Sequence, residues 1–105
     1  MNVKIRENSL VARLAAAQMR VDKVAIVFGH TIHLHHTTRE EFLADSGWVC
    51  HELKHVEQYR RLGFAGFLAR YLAEWVRNGY FNNRFEQEAR AAESDGSLLR
   101  RVIFT

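Results

Sequence analysis

The sequence predicts an α+β fold in which a small antiparallel β-hairpin or sheet packs against three long helices. Two β-prone runs separated by two residues predict the hairpin, and three longer segments with apolar residues at helical spacing predict those helices. The chain of 105 residues has no proline and is 48% hydrophobic, which suits one modest core. We therefore expect a single domain spanning residues 1–105.

A strand and a short helix come first. NVKIRE alternates apolar and polar residues, as a half-buried strand does. NSLVARLAAAQMR opens with residues that often cap helices and continues at helical spacing. This spacing predicts a buried stripe of Leu10, Leu14 and either Ala16 or Ala17.

The runs KVAIVF and TIHLHH form the predicted hairpin. The two residues between them, Gly29 and His30, suit a type II′ turn. Alternation along the second strand puts the aliphatic Ile32 and Leu34 on one face. The opposite face carries Thr31, His33 and His35.

The first long helix follows a short polar segment. TTREEF offers a capping box at Thr37 or Thr38, and DSGWVCHELKHVEQYRRLG then keeps helical period as far as Gly63. The residues predicted to be buried are Val49, Leu53 and Val56.

An aromatic segment, FAGFLARYLAEWVRNGY, is the next predicted helix. Its apolar residues are Phe64, Phe67, Leu68, Tyr71, Leu72 and Trp75. They cover most of the circumference, which predicts a core helix, with a partner-docking or membrane-surface face as the alternative. Its charged residues make it too polar to span a membrane. The last helix lies within NNRFEQEARAAESDG, with Asn83 as N-cap, and SLLRRVIFT is a closing strand or short helix.

Composition narrows the class of protein. The formal charge of +3 comes from scattered arginines without a recognisable nucleic-acid-binding motif, so we expect no specific nucleic acid partner. The single cysteine, Cys50, cannot form an intrachain disulfide and is expected to be a buried structural residue. The N-terminal MNVKIRENSLVARL lacks the apolar core of a secretory signal. We therefore expect a reducing, cytoplasmic setting.

The segment CHELKH, residues 50–55, contains an H-E-x-x-H motif. On a helix, His51 and His55 project from nearly the same side one turn apart, so two imidazoles are directed at one point. Glu52 lies beside the first of them, where its carboxylate can act as general base on a water held by the metal. A random chain of this composition would contain roughly 0.03 such motifs, so chance explains it poorly. The motif predicts a zinc site.

A catalytic zinc site needs a third protein ligand. The longer motif with a third histidine is absent, because Gln58 and Arg61 stand where glycine and histidine would be required. The last helix offers three acids, Glu86, Glu88 and Glu93. Glu86 and Glu88 point about 200° apart on a helix, so only one of them can face the ion. The small Ala89 beside Glu86 would let two helices approach closely, but Glu86 also lies at the N3 position after Asn83, where a glutamate often serves as a cap. We favour Glu86 on spacing and on the resemblance described next, with Glu88 as the alternative third ligand.

Residues 29–93 resemble a family of short bacterial H-E-x-x-H zinc peptidases described as a domain of unknown function, which is similar to the core domain of extracellular contractile injection systems. The shared pattern is a strand ending in TIHL, then H-E-L-x-H-V-x-Q, then an E-x-E-A helix. The resemblance implies a minimal zincin-like fold of the gluzincin type, with His51, His55 and Glu86 as zinc ligands and Glu52 as base. It departs at Arg90, where larger gluzincins often have an aspartate that orients a ligating histidine. We expect metal binding despite this departure, but the pattern does not predict how efficiently the site would catalyse hydrolysis.

The histidines outside the motif are His30, His33, His35 and His36. Nothing in the sequence completes a second metal site around them, so we expect polar residues on a strand face. In the zincin architecture the strand before the active-site helix pairs with extended substrate. We therefore predict that the strand carrying Thr31, His33 and His35 binds substrate. Tyr80 is a candidate for stabilising the oxyanion.

Two functions of different classes follow. The first is a zinc-dependent metallopeptidase that hydrolyses peptide bonds in a peptide or protein substrate through a zinc-bound water activated by Glu52. The second is a catalytically weak or inactive metal-binding module of zincin type that acts as a protein-interaction component or toxin-system partner.

Overall fold

The chain folds into a four-stranded mixed sheet with helices on both faces, in a computed structural model that describes all 105 residues. The elements in chain order are β1 (Asn2–Arg6), α1 (Leu10–Met19), β2 (Val24–Phe28), β3 (Thr31–His35), α2 (Arg39–Ala44), α3 (Ser46–Leu62), α4 (Phe64–Asn78), α5 (Arg84–Ala91) and β4 (Ile103–Phe104). Two short 3₁₀ helices, Ala92–Ser94 and Gly96–Arg101, connect α5 to β4. The predicted α+β class is confirmed.

The strands are arranged in the order β2-β3-β1-β4. β2 and β3 are the predicted antiparallel hairpin, with Val27 opposite Ile32. Gly29 has a φ of +63° and His30 does not have a positive φ, which is the combination that a type II′ turn requires. β1 runs parallel to both β3 and β4, so the sheet is mixed rather than wholly antiparallel.

The main core lies between the sheet and α3. β3 contributes Ile32 and Leu34, and both are fully buried on the predicted face. α3 contributes the predicted stripe of Val49, Leu53 and Val56, each at most 1% exposed. Strand alternation and helical period therefore identified this part of the core correctly.

The segment before α3 forms a separate short helix. Thr38 and Glu41 form a reciprocal capping box, which starts α2 at one of the two predicted positions. Asp45 follows α2, and its side chain accepts a hydrogen bond from the N–H of Trp48 to cap α3. α3 thus begins at its own cap, independently of α2.

Helix α1 covers the opposite face of the sheet, but through a different stripe from the predicted one. Ala12 and Ala16 are buried against Val24 of β2, whereas Leu10 and Leu14 are 66% and 63% exposed. Both stripes have helical spacing, and the small alanine side chains let the helix approach the sheet closely. The prediction that Leu10 and Leu14 are buried is wrong.

Helix α4 also differs from its prediction as a core helix. Of its residues only Phe67 is buried, while Phe64, Leu72 and Trp75 are 54%, 52% and 40% exposed. No helix of the chain combines the length and the apolar character needed to cross a membrane. Leu72 and Trp75 instead line a groove described below.

The C-terminal third agrees with its predicted elements. Asn83 caps α5, because its side chain accepts a hydrogen bond from the N–H of Phe85. The segment SLLRRVIFT contains both predicted forms, a 3₁₀ helix up to Arg101 and then β4, which pairs with β1. This pairing makes β4 one edge of the sheet and leaves β2 as the other.

Candidate metal centre

The three residues favoured as metal ligands meet in one place. α3 presents His51 and His55 one turn apart, and α5 presents Glu86 from the facing side. Glu86 Oε1 lies 3.0 Å from His51 Nε2 and 3.1 Å from His55 Nε2. Zinc–nitrogen bonds of about 2.0–2.1 Å in tetrahedral geometry separate neighbouring ligand atoms by about 3.3 Å. Both distances from Glu86 fit ligands of one such ion, and all three ligand atoms lie within 4.8 Å of one another.

The outer nitrogens of both imidazoles also face acceptors. His51 Nδ1 lies 2.8 Å from Glu93 Oε2. His55 Nδ1 lies 2.9 Å from Gln58 Oε1. The Gln58 amide is oriented by its Nε2, which donates to a backbone carbonyl and to Glu88, so its oxygen is the atom left for His55.

This arrangement suits a cation between the inner nitrogens. A neutral imidazole has only one N–H, so all four nitrogens can donate only if both rings are protonated. A bound cation would be held by the inner nitrogens, and the outer N–H groups would then donate to Glu93 and Gln58. Outer partners of this kind fix the tautomer and orientation of metal-binding histidines. The donor set fits a divalent metal ion.

Burial and hydrogen bonding set the charges of these groups. Burial opposes ionisation of Glu86, but hydrogen bonds from His51 and His55 hold the pKa of its carboxyl well below its usual range. Burial would lower the pKa of His51, yet the hydrogen bond to Glu86 and the charge of Glu52 contribute to raising it to about 9. Burial would lower the pKa of His55 too, but its hydrogen bond to Glu86 and the charges of Glu52 and Glu86 together outweigh burial and raise it. Glu86 is thus an anion that attracts positive charge to this point.

Glu52 lies beside the ligands but is not one of them. Its side chain is buried and lines the same groove as His55 and Glu86. Burial raises the pKa of its carboxyl to about 7, and the nearby histidines offset this only in part. A carboxyl with a pKa near neutrality can both accept and return a proton.

Two tyrosines lie next to the ligand cluster. Tyr71 of α4 donates its hydroxyl to Glu86 Oε2 at 2.5 Å. Tyr80, the predicted oxyanion candidate, lines the groove near Glu52. Burial and the Glu86 carboxylate raise the pKa of both hydroxyls, so both stay protonated donors. Tyr71 was not predicted as a site residue, because its helix was predicted to lie in the core.

Glu88, the alternative third ligand, does not join the cluster. Its carboxylate accepts a hydrogen bond from Gln58 and lies 3.9 Å from Lys54 Nζ and 3.8 Å from Arg61 Nη2. Glu88 therefore acts one step away from the site, as the anchor of the amide that orients His55.

Arg90 also points away from the ligands. Its guanidinium donates to the carbonyl of Phe81 and lies 4.3 Å from the centre of that ring. The position beside His51 is taken instead by Glu93, seven residues after Glu86 and two turns along the helical path. Glu93 was considered only as a ligand, although its spacing of two turns from Glu86 predicts the same side of a helix. Gln58 is the last residue of the H-E-L-x-H-V-x-Q pattern.

The prediction of β3 as the substrate-binding strand is wrong. β3 lies between β2 and β1, so the main chain of Thr31 and His33 is paired on both sides. The side chains of Thr31, His33 and His35 share the sheet face that α1 covers, and His33 Nδ1 lies 2.8 Å from Ser9 Oγ there. From local sequence, one edge of β3 was expected to be free to bind a substrate, but β1 pairs with that edge in parallel. The strand histidines form no group of converging ligands.

Two of the ligands, His55 and Glu86, border a groove with a volume of about 460 Å³. One wall consists of the free edge strand β2 with the end of α1, and the other consists of α4. The polar residues Glu52, His55 and Glu86 lie at its buried part. Cys50, on the same helix, is buried as predicted and donates to a backbone carbonyl.

Comparisons with protein-family models, with curated proteins and with solved structures found no match to this chain. The resemblance to short zinc peptidases therefore stays a prediction that rests on the residue pattern.

Proposed function

We propose that this chain is a zinc-dependent metallopeptidase that hydrolyses peptide bonds with Glu52 as general base. The observation that carries the proposal is the convergence of His51, His55 and Glu86 beside a buried glutamate that is not a ligand. Two imidazoles and one carboxylate, with a fourth position left open, are a ligand set of catalytic zinc sites. Zinc at such a site polarises a carbonyl and makes a bound water easier to deprotonate.

The residues around the ligands have complementary tasks. Glu52 accepts the proton of the attacking water and returns it to the leaving amine. Tyr71 holds Oε2 of Glu86, which leaves Oε1 for the ion. Tyr80 lines the groove as a protonated hydroxyl and is the candidate donor to the oxyanion.

The free edge of β2 provides main-chain groups for an extended substrate. Because the hairpin turn has two residues, Phe28 and Thr31 form a hydrogen-bonded pair. From there, hydrogen-bonded and non-hydrogen-bonded pairs alternate along the two strands. The N–H and C=O groups of Ala25 and Val27 therefore point away from β3, toward the open edge. Both residues line the groove that reaches the metal centre. A peptide added at this edge would be held by its backbone, which demands no particular sequence.

The test is turnover of an unfolded protein substrate by zinc-loaded protein. We expect Glu52→Gln to lower the rate by about 10²- to 10⁴-fold while zinc content is unchanged. Glu57→Gln is the matched control, because it neutralises a carboxylate on the same helix that pairs with Lys54 and Arg101 instead of facing the site. We expect the control to keep full activity.

Two results would contradict the proposal. One is a zinc-loaded wild type that cleaves none of a diverse set of peptides. The other is a rate that Glu52→Gln leaves unchanged. Absence of turnover together with a stable protein complex that survives Glu52→Gln would favour the metal-binding interaction module.

A further inference from the structure

The groove beside the metal centre is lined mainly by apolar side chains. Of its 21 lining residues 16 are hydrophobic. Three of the five others belong to the metal centre and its base, Glu52, His55 and Glu86. The remaining two, Gln18 and Lys23, come from α1 and the loop after it. The groove thus has no acidic side chain outside the catalytic set.

Much of the exposed apolar surface of α4 forms one wall of this groove. Leu68, Leu72 and Trp75 lie on one stripe at spacings of four and three residues and line the groove. Leu72 is 52% exposed and Trp75 is 40% exposed. An apolar surface of this kind next to a polar site is typical of a binding surface.

The shape of the groove favours an extended segment as its occupant. β2 has five residues, so an extended chain beside it can run for about 17 Å. Such a chain would pair with the outward main-chain groups of Ala25 and Val27. Its side chains would alternate in direction, so that every second one enters the apolar groove. The groove volume of about 460 Å³ lies within the range of about 300–1,000 Å³ that ligand sites occupy.

We infer that the substrate is an extended polypeptide segment with a large aliphatic or aromatic side chain beside the cleaved bond, and that Leu68, Leu72 and Trp75 select it. This inference rests on the proposed function. Lys23 is the only charged residue of the lining outside the metal centre and its base, so basic side chains are disfavoured by repulsion as well as by desolvation.

The test uses four peptides that differ only at one central position, Phe, Leu, Glu or Lys, in a neutral frame. Binding is measured by fluorescence anisotropy with zinc-loaded Glu52→Gln protein, so that no turnover is needed. Turnover is measured separately with the wild type. We expect the Phe and Leu peptides to bind about 10- to 100-fold more tightly than the Lys peptide.

Two charge variants, made in the Glu52→Gln background, test the wall itself. Leu72→Lys puts a cation into the groove, whereas Val76→Lys makes the same kind of change on the same helix at a residue that is 87% exposed and does not line it. We expect Leu72→Lys to weaken binding of the Phe peptide about tenfold and to narrow its advantage over the Glu peptide. We expect Val76→Lys to change neither by more than about twofold. Equal zinc content in all variants verifies the fold.

The outcomes separate this inference from the proposed function. Equal affinity for the Phe and Lys peptides, or equal effects of Leu72→Lys and Val76→Lys, would overturn the inference. Turnover of all four peptides at similar rates would overturn it too, while leaving the peptidase function intact. Selective binding that depends on Leu72, without any turnover by the wild type, would support selection of such a side chain by the groove but contradict the peptidase function.

Discussion

Helices α3 and α4 follow one another in the chain and have similar lengths, yet they serve different purposes. α3 has 17 residues and buries eight of them, whereas α4 has 15 residues and buries only Phe67. α3 packs against the sheet, α4 and α5, while one side of α4 remains open to the groove. Apolar residues at helical spacing define a face of a helix, but they do not say what covers that face.

The buried polar residues sharpen this contrast. α3 buries Glu52, His55 and Gln58 among its aliphatic residues. Two of them are hydrogen-bonded to α5, His55 to the Glu86 carboxylate and Gln58 to the carbonyl of Phe85. Burying a polar group without a partner is costly, so these hydrogen bonds offset the burial of His55 and Gln58. α4 contributes one polar contact to it, the Tyr71 hydroxyl on Glu86. α3 and α5 therefore build the metal centre, and α4 builds the surface beside it.

The largest expected effect comes from removing a ligand on the α3–α5 side. Glu86→Ala should lower zinc affinity by more than about a hundredfold, because loss of a direct ligand should exceed the 10–100-fold cost of losing an outer partner. Glu88→Ala is the matched control two residues away, and it should have a much smaller effect because Glu88 reaches the site only through Gln58. Titration calorimetry with zinc measures both, and equal affinities for the two variants would show that the ligand assignment is wrong.

The second prediction compares leucines on the two helices. Leu53→Ala, in α3, should lower the free energy of unfolding by about 2–5 kcal/mol, because this fully buried side chain leaves a cavity in the core. Leu72→Ala, in α4, should cost less than about 1 kcal/mol, since half of that side chain is already exposed. Urea denaturation followed by circular dichroism compares them. A similar loss for both leucines would mean that α4 is covered in solution.

The smallest expected effect concerns the outer partner of His51. Glu93→Gln should weaken zinc binding by about tenfold, because an amide holds the imidazole N–H less strongly than a carboxylate does. Glu57→Gln removes a comparable carboxylate from α3 without touching a histidine and should leave zinc affinity unchanged. If the two variants bind zinc equally well, Glu93 does not orient His51.

Much of the site could be predicted from local sequence. The H-E-x-x-H spacing placed His51 and His55 on one side of a helix, and spacing within the last helix, together with the family resemblance, favoured Glu86 over Glu88. The caps at Thr38 and Asn83 were predicted as well, because a cap depends on residues within one turn. Apart from the choice of Glu86, each of these predictions needs only the geometry of one helix.

Other features were predicted wrongly or missed. The leucines and the alanines of α1 have equal helical spacing, so the sequence could not show which of them face the sheet. The strand edge offered to a substrate was assigned to β3 although it belongs to β2. Glu93, Gln58 and Tyr71 were not recognised as partners of the ligands.

The sequence by itself determined the helical and strand periods, the caps and the direction in which the motif histidines point, because these depend on neighbours within a few residues. Only the tertiary structure decided which surfaces meet. β1 pairs with β3 across more than twenty intervening residues and closes one edge, while Glu93 and Tyr71 reach the ligands from different helices. Such contacts depend on how whole elements pack, since only packing brings residues distant in sequence within hydrogen-bonding distance.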